Sequence, residues 1–368
     1  MLQGGDSQRP ARPAVHRPLP PMPSPDAQDS KEQRRRAAAA AAASAHNCTA
    51  GGWGRSGAMG GRRGARAQVR AGAGAGAGAG ALGAALVARG MMPAGARPAE
   101  LHPFVAAVAG GGPAEGGAVV GLLAWPRAGP PPVVRAAPGA RGLEFLARSP
   151  EEYVARALAE EDLAGGPGPV AAAVAAVGGG CLYEAGSAAA SPMPNQNAYL
   201  TKEVGIFPDV VAGLVEGHLG RGDATSALVA AEWFAKNHFA GSGQPWAFAA
   251  ATLAGQGRRE EAREYFQLAL QRPWWTLEDL AGVLAGAGLE GTTAEEVRER
   301  VVPKPPPGEA AAQPESPSEL LIRRAERLLD DASFAGEPVA WDSAVPELRA
   351  LYDEAGLPDF AAGLPATC

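Results

Sequence analysis

Short apolar or alternating runs, separated by Pro and Gly, fill the region 101–165. Such runs are typical of short antiparallel β-strands. The runs are GAVVGLLAW (117–125), PPVVRAA (131–137) and GLEFLAR (142–148). The pattern then becomes helical in SPEEYVARALAEEDL (149–163), where Ser149 is placed to cap the amino end and Glu152 to reach back to the Ser149 amide. The region is therefore predicted to be a small α+β unit with one helix.

A helical pattern of apolar positions repeats within residues 198–300. The runs GRGDATSALVAAEWFAKN and GQGRREEAREYFQLAL align with an offset of 35 residues, so that Gly222 falls on Gly257 and Ala227 on Ala262. A period near 34 is that of the tetratricopeptide repeat, whose two helices pack through small residues at fixed positions. Because two repeats are fewer than a free-standing solenoid usually needs, the flanking segments are expected to cover the ends of the stack.

Two adjacent tryptophans follow the second repeat in the run LQRPWWTL. Pro273 ends a helix expected over residues 258–271, and Thr276 is placed to cap the next helix. We predict that Trp274 plugs the end of the repeat stack and that Trp275 is the more exposed of the two. A half-exposed tryptophan is a typical anchor for a protein partner. Trp275 and Trp274 are therefore candidate partner-binding residues, with packing as the alternative role.

Segments of biased composition separate these units. Residues 166–197 are rich in Gly, Ala, Pro and Ser and are expected to form a flexible loop, although PVAAAVAAV could add a short helix. A proline-rich linker, VVPKPPPGEAAAQPESP, precedes a last pair of amphipathic helices, the first of which begins with a capping box of Ser316 and Glu319. We predict that this pair packs back on the repeats and caps them.

The amino-terminal region has the composition of an organelle transit peptide. No acidic residue occurs from Gln33 to Ala99, whereas ten arginines do. The tripeptide Val69-Arg70-Ala71 resembles the Val-x-Ala processing site of green-algal plastid transit peptides. Mitochondrial import and the amino-acid bias of a GC-rich genome are the alternatives.

These patterns divide the chain into seven segments. They are a transit peptide (1–71), a flexible Gly/Ala linker (72–100), the α+β unit (101–165), a low-complexity loop (166–197), tetratricopeptide-like helical repeats (198–300), the proline-rich linker (301–317) and a C-terminal helix pair (318–364). The predicted fold class is α+β and mostly α, with a small antiparallel sheet, antiparallel helix pairs and a disordered amino terminus.

Charge and cysteine spacing narrow the possible functions. Residues 1–71 contain 12 basic and 4 acidic residues, which leaves 21 basic and 35 acidic residues in the rest of the chain. A body with a net charge of −14 repels phosphates, so nucleic acid is not an expected partner. No apolar run reaches 18 residues, so no membrane span is predicted. The three cysteines are far apart and indicate neither a disulfide framework nor a metal site.

Candidate chemistry is sparse. The histidines of the mature region, His102, His218 and His238, have no second ligand three or four residues away, so no metal is predicted. No nucleotide-binding fingerprint occurs, and no cofactor is expected. An enzyme that uses His238 as a base in KNHFAGSGQPW is one alternative, but a lone histidine beside Phe239 is more often structural. His238 and Phe239 are also candidate partner-binding residues.

Several blocks together resemble a plastid protein family of plants and green algae. The blocks are EVGIFPDVV, GDATSALVAAEWFAKNHFAGSGQPWAF and LQRPWWTL, and HPFVAAV, VVGLLAWP and SPEEYVARALAEED are also similar. One member of that family is named for chloroplast ATP synthase biogenesis, and others are labelled cyclin-delta-like or erythronate-phosphate dehydrogenase-like. The similarity covers roughly residues 101–360, without 164–194.

The resemblance implies a non-enzymatic stromal factor that helps to assemble the soluble catalytic head of the ATP synthase. It further implies an unassembled subunit, the γ subunit, as the protein client. It transfers no residue-level binding site and no oligomeric state. A generic plastid helical-repeat protein with another client is the alternative.

Overall fold

The computed structural model describes most of the chain beyond the amino-terminal region. The described residues are 75–111, 117–126, 130–179, 182–193, 195–239, 241–301 and 316–366. The predicted transit peptide, the three cysteines and most of the proline-rich linker lie outside these ranges. Within them the chain is mostly helical and contains one small antiparallel sheet, so the predicted fold class is confirmed.

The sheet is a five-stranded antiparallel meander in which neighbours in the chain are neighbours in space. The strands are β1 (Met92–Pro93), β2 (Val105–Gly110), β3 (Val119–Leu123), β4 (Val133–Ala136) and β5 (Glu144–Ala147). The last three coincide with the predicted apolar runs. The sequence pattern missed β1 and β2, because β1 is only two residues long and β2, VAAVAG, is half alanine and lacks a clear alternation.

Both faces of the sheet are buried under helices. Since successive strand residues point to opposite faces, Val133 lies in one apolar cluster and Val134 in another. Val120 and Ala147 join Val133 on the first face, whereas Phe145 joins Val134 on the second. The sheet is therefore the central layer between two helical layers.

The first helical layer consists of α1 (Ala75–Ala88), α2 (Pro150–Leu163) and α3 (Pro169–Ala176). The expectation of a flexible Gly/Ala linker over 72–100 is wrong for α1. Leu82, Ala85 and Leu86 are fully buried at helical spacing, and Leu82 and Leu86 lie one turn apart. The glycine-rich tract therefore forms a helix that packs on the first face of the sheet.

The amino end of α2 has half of the predicted capping box. The Ser149 hydroxyl accepts a hydrogen bond from the Glu152 amide at 3.2 Å. The Glu152 carboxylate, however, accepts from the Arg148 amide at 2.9 Å and pairs with the Arg148 guanidinium, instead of returning to Ser149. Ser149 therefore caps the helix, but the Glu152 carboxylate binds Arg148 and not the Ser149 amide.

Two adjacent carboxylates at the end of α2 hold the segment that was predicted to be a flexible loop. Glu161 accepts from the amides of Gly168, Val170 and Ala171 at 2.8–3.1 Å and so caps α3. Asp162 accepts from the Tyr183 hydroxyl at 2.8 Å and from two amides at the start of α4 (Ser187–Ala190). The described part of 166–197 is thus anchored, and the expectation of a flexible loop there is wrong.

Two antiparallel helix pairs follow the α+β unit. After α5 (Gln196–Tyr199) and a π-helical turn (Leu200–Val204), the pairs are α6 (Pro208–Gly220) with α7 (Ala224–Asn237) and α8 (Gln244–Gly255) with α9 (Arg259–Leu270). Gly222 and Gly257 occupy the same place in the two turns, with φ angles of +75° and +77°. Ala227 and Ala262 are both buried. The 35-residue offset is therefore structural, and the tetratricopeptide class remains a prediction.

The remaining helices pack on the repeats and on the second face of the sheet. They are α10 (Leu280–Ala287), α11 (Ala294–Val301), α12 (Pro317–Ala335), α13 (Trp341–Glu354) and α14 (Pro358–Gly363). The predicted capping box of Ser316 and Glu319 is present with both hydrogen bonds. The last helices pack mainly on the second face of the sheet, where Trp341 and Tyr352 join Phe145. The helix pair was predicted to cap the repeats. Helix α12 does contact the Trp274–Thr276 turn at the end of the repeats, but this contact is smaller than the packing on the sheet.

Candidate partner-binding site

The two adjacent tryptophans lie where three parts of the fold meet. Helix α9 ends at Leu270, and Pro273 leads into a short 3₁₀ turn of Trp274–Thr276. This turn contacts α12 of the C-terminal region on one side and the edge of the sheet on the other. The predicted helix stop before Pro273 is confirmed, and the turn joins the repeats to the sheet.

Trp274 packs at the end of the repeats, as predicted. Its side chain is 1% exposed, and its indole N–H donates to the Leu270 carbonyl at 2.9 Å. The Arg298 guanidinium lies 4.9 Å from the ring centre and the Phe334 ring 5.5 Å away. The Trp274 amide donates to the Asp330 carboxylate at 2.5 Å. Trp274 thus links α9, α11 and α12.

The prediction that Trp275 is the more exposed tryptophan is wrong. Its side chain is completely buried, with the rings of His102, Phe104 and Trp125 centred 4.7–5.8 Å away. The cause is a sheet contact that the sequence pattern does not reveal. The Leu143 amide, just before β5, donates to the Trp275 carbonyl at 3.1 Å. This bond holds the turn at the sheet edge and directs Trp275 into the core.

Close approach of the backbone reinforces the contact at the sheet edge. A Cβ atom at Gly142 would lie 1.9 Å from the Leu277 carbonyl oxygen, so only glycine fits there. Thr276 does not cap the next helix as predicted, because its buried hydroxyl accepts from the Gly243 amide and donates to the Pro273 carbonyl. Asp279 caps α10 instead, by accepting from the Gly282 amide at 2.8 Å.

Burial controls the titration of the polar groups in this junction. Desolvation lowers the pKa of His102 to about 3, and the nearby Arg97 adds to the effect, so His102 is a neutral aromatic ring in the core. Desolvation raises the pKa of Asp330 well above its usual range, although the Trp274 amide and Arg298 oppose the shift. The junction therefore avoids a buried imidazolium and retains a carboxyl group with a high proton affinity.

His238 and Phe239 lie together at the end of α7 and contact aromatic rings. The Phe239 ring lies between those of Phe145 on β5 and Phe234 on α7, at 5.5 and 6.1 Å. Its φ angle of +52° is unusual for a bulky residue and indicates local strain. Desolvation lowers the pKa of His238 to about 4, Arg148 lowers it further, and the opposing Glu152 charge does not compensate.

The surroundings of His238 give no support to a role as a general base. Neither ring nitrogen has a hydrogen-bond partner within the described residues, whereas a catalytic histidine is normally oriented by such a partner. Its closest ring neighbour is Trp233, whose centroid is 4.4 Å away. We therefore read His238 as a packing partner of Trp233.

Trp233 is the half-exposed tryptophan that was expected at Trp275. Its side chain is 45% exposed, and Val229, one turn earlier on α7, is 61% exposed. We call Val229, Trp233 and the adjoining His238 the Trp233 face. A usable signal exists in the sequence, because the buried Ala227 and Ala231 leave positions 229 and 233 together on the opposite side of the helix.

The described residues show neither a metal-ligand cluster nor a membrane-spanning helix. No group of three His, Cys, Asp or Glu side chains in them is arranged to hold a metal ion. None of their helices combines the length and apolar character that crossing a membrane requires.

Comparisons with known proteins divide the chain at the same place as the fold. The family model described as PAB N-terminal matches residues 82–203, and the model described as PAB middle domain matches residues 208–290. The Arabidopsis thaliana "Protein IN CHLOROPLAST ATPASE BIOGENESIS, chloroplastic" is 35% identical over 251 residues, which cover 66% of this chain and 72% of that protein. No solved structure matches the chain.

Proposed function

Because the chain belongs to the PAB family, we propose that it is a chloroplast assembly factor that binds an unassembled subunit of the ATP synthase. The observation that carries the proposal is the 35% identity to the Arabidopsis biogenesis protein over 72% of its length. In this proposal the protein acts in the stroma, without catalysis, and its client is the γ subunit of the soluble catalytic head.

The Trp233 face supports binding to a protein client. Large apolar side chains that remain half exposed on a folded surface are common anchors of protein interfaces, and tryptophan is enriched among them. Trp233 and Val229 form such a pair on α7. In this proposal His238 packs against the tryptophan and Phe239 anchors the end of α7 to the sheet, whereas Trp274 and Trp275 hold the fold together and do not touch the client.

The acidic body of the chain also supports a protein client. The region after residue 71 has a net charge of −14, which attracts a basic surface and disfavours nucleic-acid phosphates. Attraction of this kind increases the rate of encounter more than the final affinity. We therefore expect capture of the client to weaken as the salt concentration rises.

Capture from chloroplasts tests the proposal. The tagged full-length chain is expressed in a plant host, recovered from stroma, and its bound proteins are identified by mass spectrometry. We expect the γ subunit to be enriched at least tenfold over a control bait. Capture of another client, such as a photosystem subunit, without any ATP synthase subunit would favour the generic repeat protein and reject the proposal.

A pair of surface variants tests the Trp233 face within the same experiment. Trp233→Ala is expected to reduce client recovery about tenfold or more while the melting temperature changes little, since the side chain is already half in solvent. Leu320→Ala is the matched control, because Leu320 is also more than half exposed but lies on α12. Equal recovery by both variants and the parent would exclude the Trp233 face as the anchor.

Processing of the precursor tests the stromal location. We propose that import is followed by cleavage near Ala71, after the Arg-rich and acid-free stretch. The amino terminus of the protein isolated from chloroplasts gives the answer by sequencing. A mature amino terminus upstream of residue 50, or recovery in mitochondria, would refute this location.

A further inference from the structure

The two edges of the sheet are protected to different degrees. The edge formed by β5 is covered by the turn that contains Trp275, whose carbonyl accepts from the Leu143 amide. At the other edge, β1 pairs with β2 at Ala109 and Gly110, and the Ala94 amide that follows donates to the Val108 carbonyl at 3.0 Å. Within the described residues, no strand pairs with this side of residues 105–107. Exposed strand edges promote unwanted pairing, and proteins normally cover them.

Backbone hydrogen bonds show which groups of β2 this edge presents. The Ala124 amide donates to the Phe104 carbonyl at 2.8 Å, so Phe104 is bonded towards β3. Backbone groups of successive residues alternate between the two sides of a strand, and the register continues unshifted through Val105 and Ala107. The carbonyls of Val105 and Ala107 and the Ala107 N–H therefore face away from β3. Within the described residues no turn, loop or side-chain hydrogen bond reaches these three groups.

A cavity of about 400 Å³ lies beside these unpaired groups. It is bounded by the β2 edge, the segment that follows β1 and the end of α14. Small or apolar residues line much of it, including Gly95, Pro103, Ala107, Ala124, Phe360 and Gly363, and the charged Arg97 and Asp359 also belong to the lining. A Cβ atom added at Gly363 would meet no other atom within 4 Å, so the cavity is open on that side.

We propose that this edge groove binds an extended segment of the client subunit as an added strand of the sheet. Three unpaired backbone groups along a strand fit the regular donors and acceptors of an extended chain, whereas a helix has already paired its own. The added strand would pair with residues 105–107, beyond the Ala94–Val108 hydrogen bond that ends the pairing of the β1 segment. The small lining residues leave room for the client's alternate side chains, and the unpaired backbone groups make the occupant an extended peptide. The inference rests on the proposed function.

Ala107→Pro is the direct test, because proline removes the N–H that the added strand needs. Proline is tolerated on an edge strand when its nitrogen faces away from the partner strand, so the sheet is expected to survive. Binding of the full-length protein to purified γ subunit is measured by biolayer interferometry. We expect Ala107→Pro to weaken binding at least tenfold, whereas the control Ala107→Val, which keeps the N–H, retains most of the affinity.

Gly363→Phe tests the groove without touching the strand. The added ring would occupy the cavity and exclude the peptide, so we again expect a loss of at least tenfold. Gly255→Phe at the end of α8 is the matched control, because its Cβ also meets nothing within 4 Å and it lies outside the groove. Melting temperatures of all variants are recorded. If Ala107→Pro does not fold, the binding of Gly363→Phe alone tests the proposal.

An array of overlapping 15-residue peptides from the γ subunit locates the bound segment. Peptides that bind the parent protein but neither groove variant would support strand addition. If the parent binds the γ subunit and both folded groove variants bind it equally well, the groove proposal is overturned and the proposed function stands. If the parent binds no γ subunit, the proposed client fails and the groove proposal fails with it.

Discussion

Replacement of Trp275 by alanine should be among the most damaging single changes in this protein. The side chain is fully buried between the sheet, the C-terminal helices and the turn after α9. A tryptophan of this kind buries about 150–250 Å², which at about 25 cal/mol per Å² corresponds to roughly 4–6 kcal/mol. Truncation of buried aromatics to alanine typically costs about 3–5 kcal/mol, and we adopt that range.

Thermal and urea denaturation measure this loss. For a domain of this size, 1 kcal/mol shifts the melting temperature by about 2–4 °C, so Trp275→Ala should melt about 10 °C lower than the parent. Trp275→Phe should cost less, because it keeps an aromatic ring against His102 and Phe104 and removes an indole N–H that has no partner within the described residues.

Trp233→Ala is the internal comparison for this experiment. It removes the same side chain from a half-exposed position, so we expect a change in melting temperature of no more than about 3 °C. If Trp275→Ala melted within 2 °C of the parent, or if Trp233→Ala were the less stable variant, the described burial of the two tryptophans would be refuted.

Three further predictions concern the helix pairs and the anchored carboxylates. Ala262→Trp should destabilise the helix pairs by about 1–3 kcal/mol or more, because Ala262 is buried where two helices approach closely, and a melt like that of the parent would contradict the pairing. The raised pKa of Asp330 means that the folded state binds its proton more tightly than the unfolded state, so this group's contribution to stability declines as pH rises from about 4 to its folded pKa. Asp330→Asn, which can still accept from the Trp274 amide, should therefore gain stability relative to the parent over that pH range in urea titrations. Asp162→Asn should weaken the anchoring of the 182–190 segment by about 1 kcal/mol. This is less than the usual ~1.5–3 kcal/mol for bonds to charged groups because solvent reaches the carboxylate, and limited proteolysis should then cut that segment faster than in the parent.

The local sequence was sufficient for the features that depend on near neighbours. Strands β3, β4 and β5 follow from apolar runs between Pro and Gly, and the capping box of Ser316 and Glu319 follows from residue spacing alone. The equivalence of Gly222 and Gly257 follows from the 35-residue offset, because each turn needs a residue that accepts a positive φ angle.

The sequence was misleading where partners distant in the chain decide the outcome. The glycine-rich tract that forms α1 is helical and buried because the first face of the sheet covers Leu82 and Leu86. The segment after α2 is ordered because Glu161 and Asp162 turn back to cap it. Composition describes the tendency of a free segment, and it carries no information about these tertiary contacts.

The tryptophans of the candidate site separate what local sequence predicts from what tertiary contacts decide. The sequence by itself determined that a helix stops before Pro273 and that an aromatic residue is placed to fill the end of the repeats. Only the tertiary structure decided that Trp275 is buried and Trp233 exposed, because the sheet edge at Leu143 fixes the first and no other described helix covers the second. The open edge of β2 is likewise a tertiary property, since a strand is unpaired only with respect to the neighbours that the fold provides.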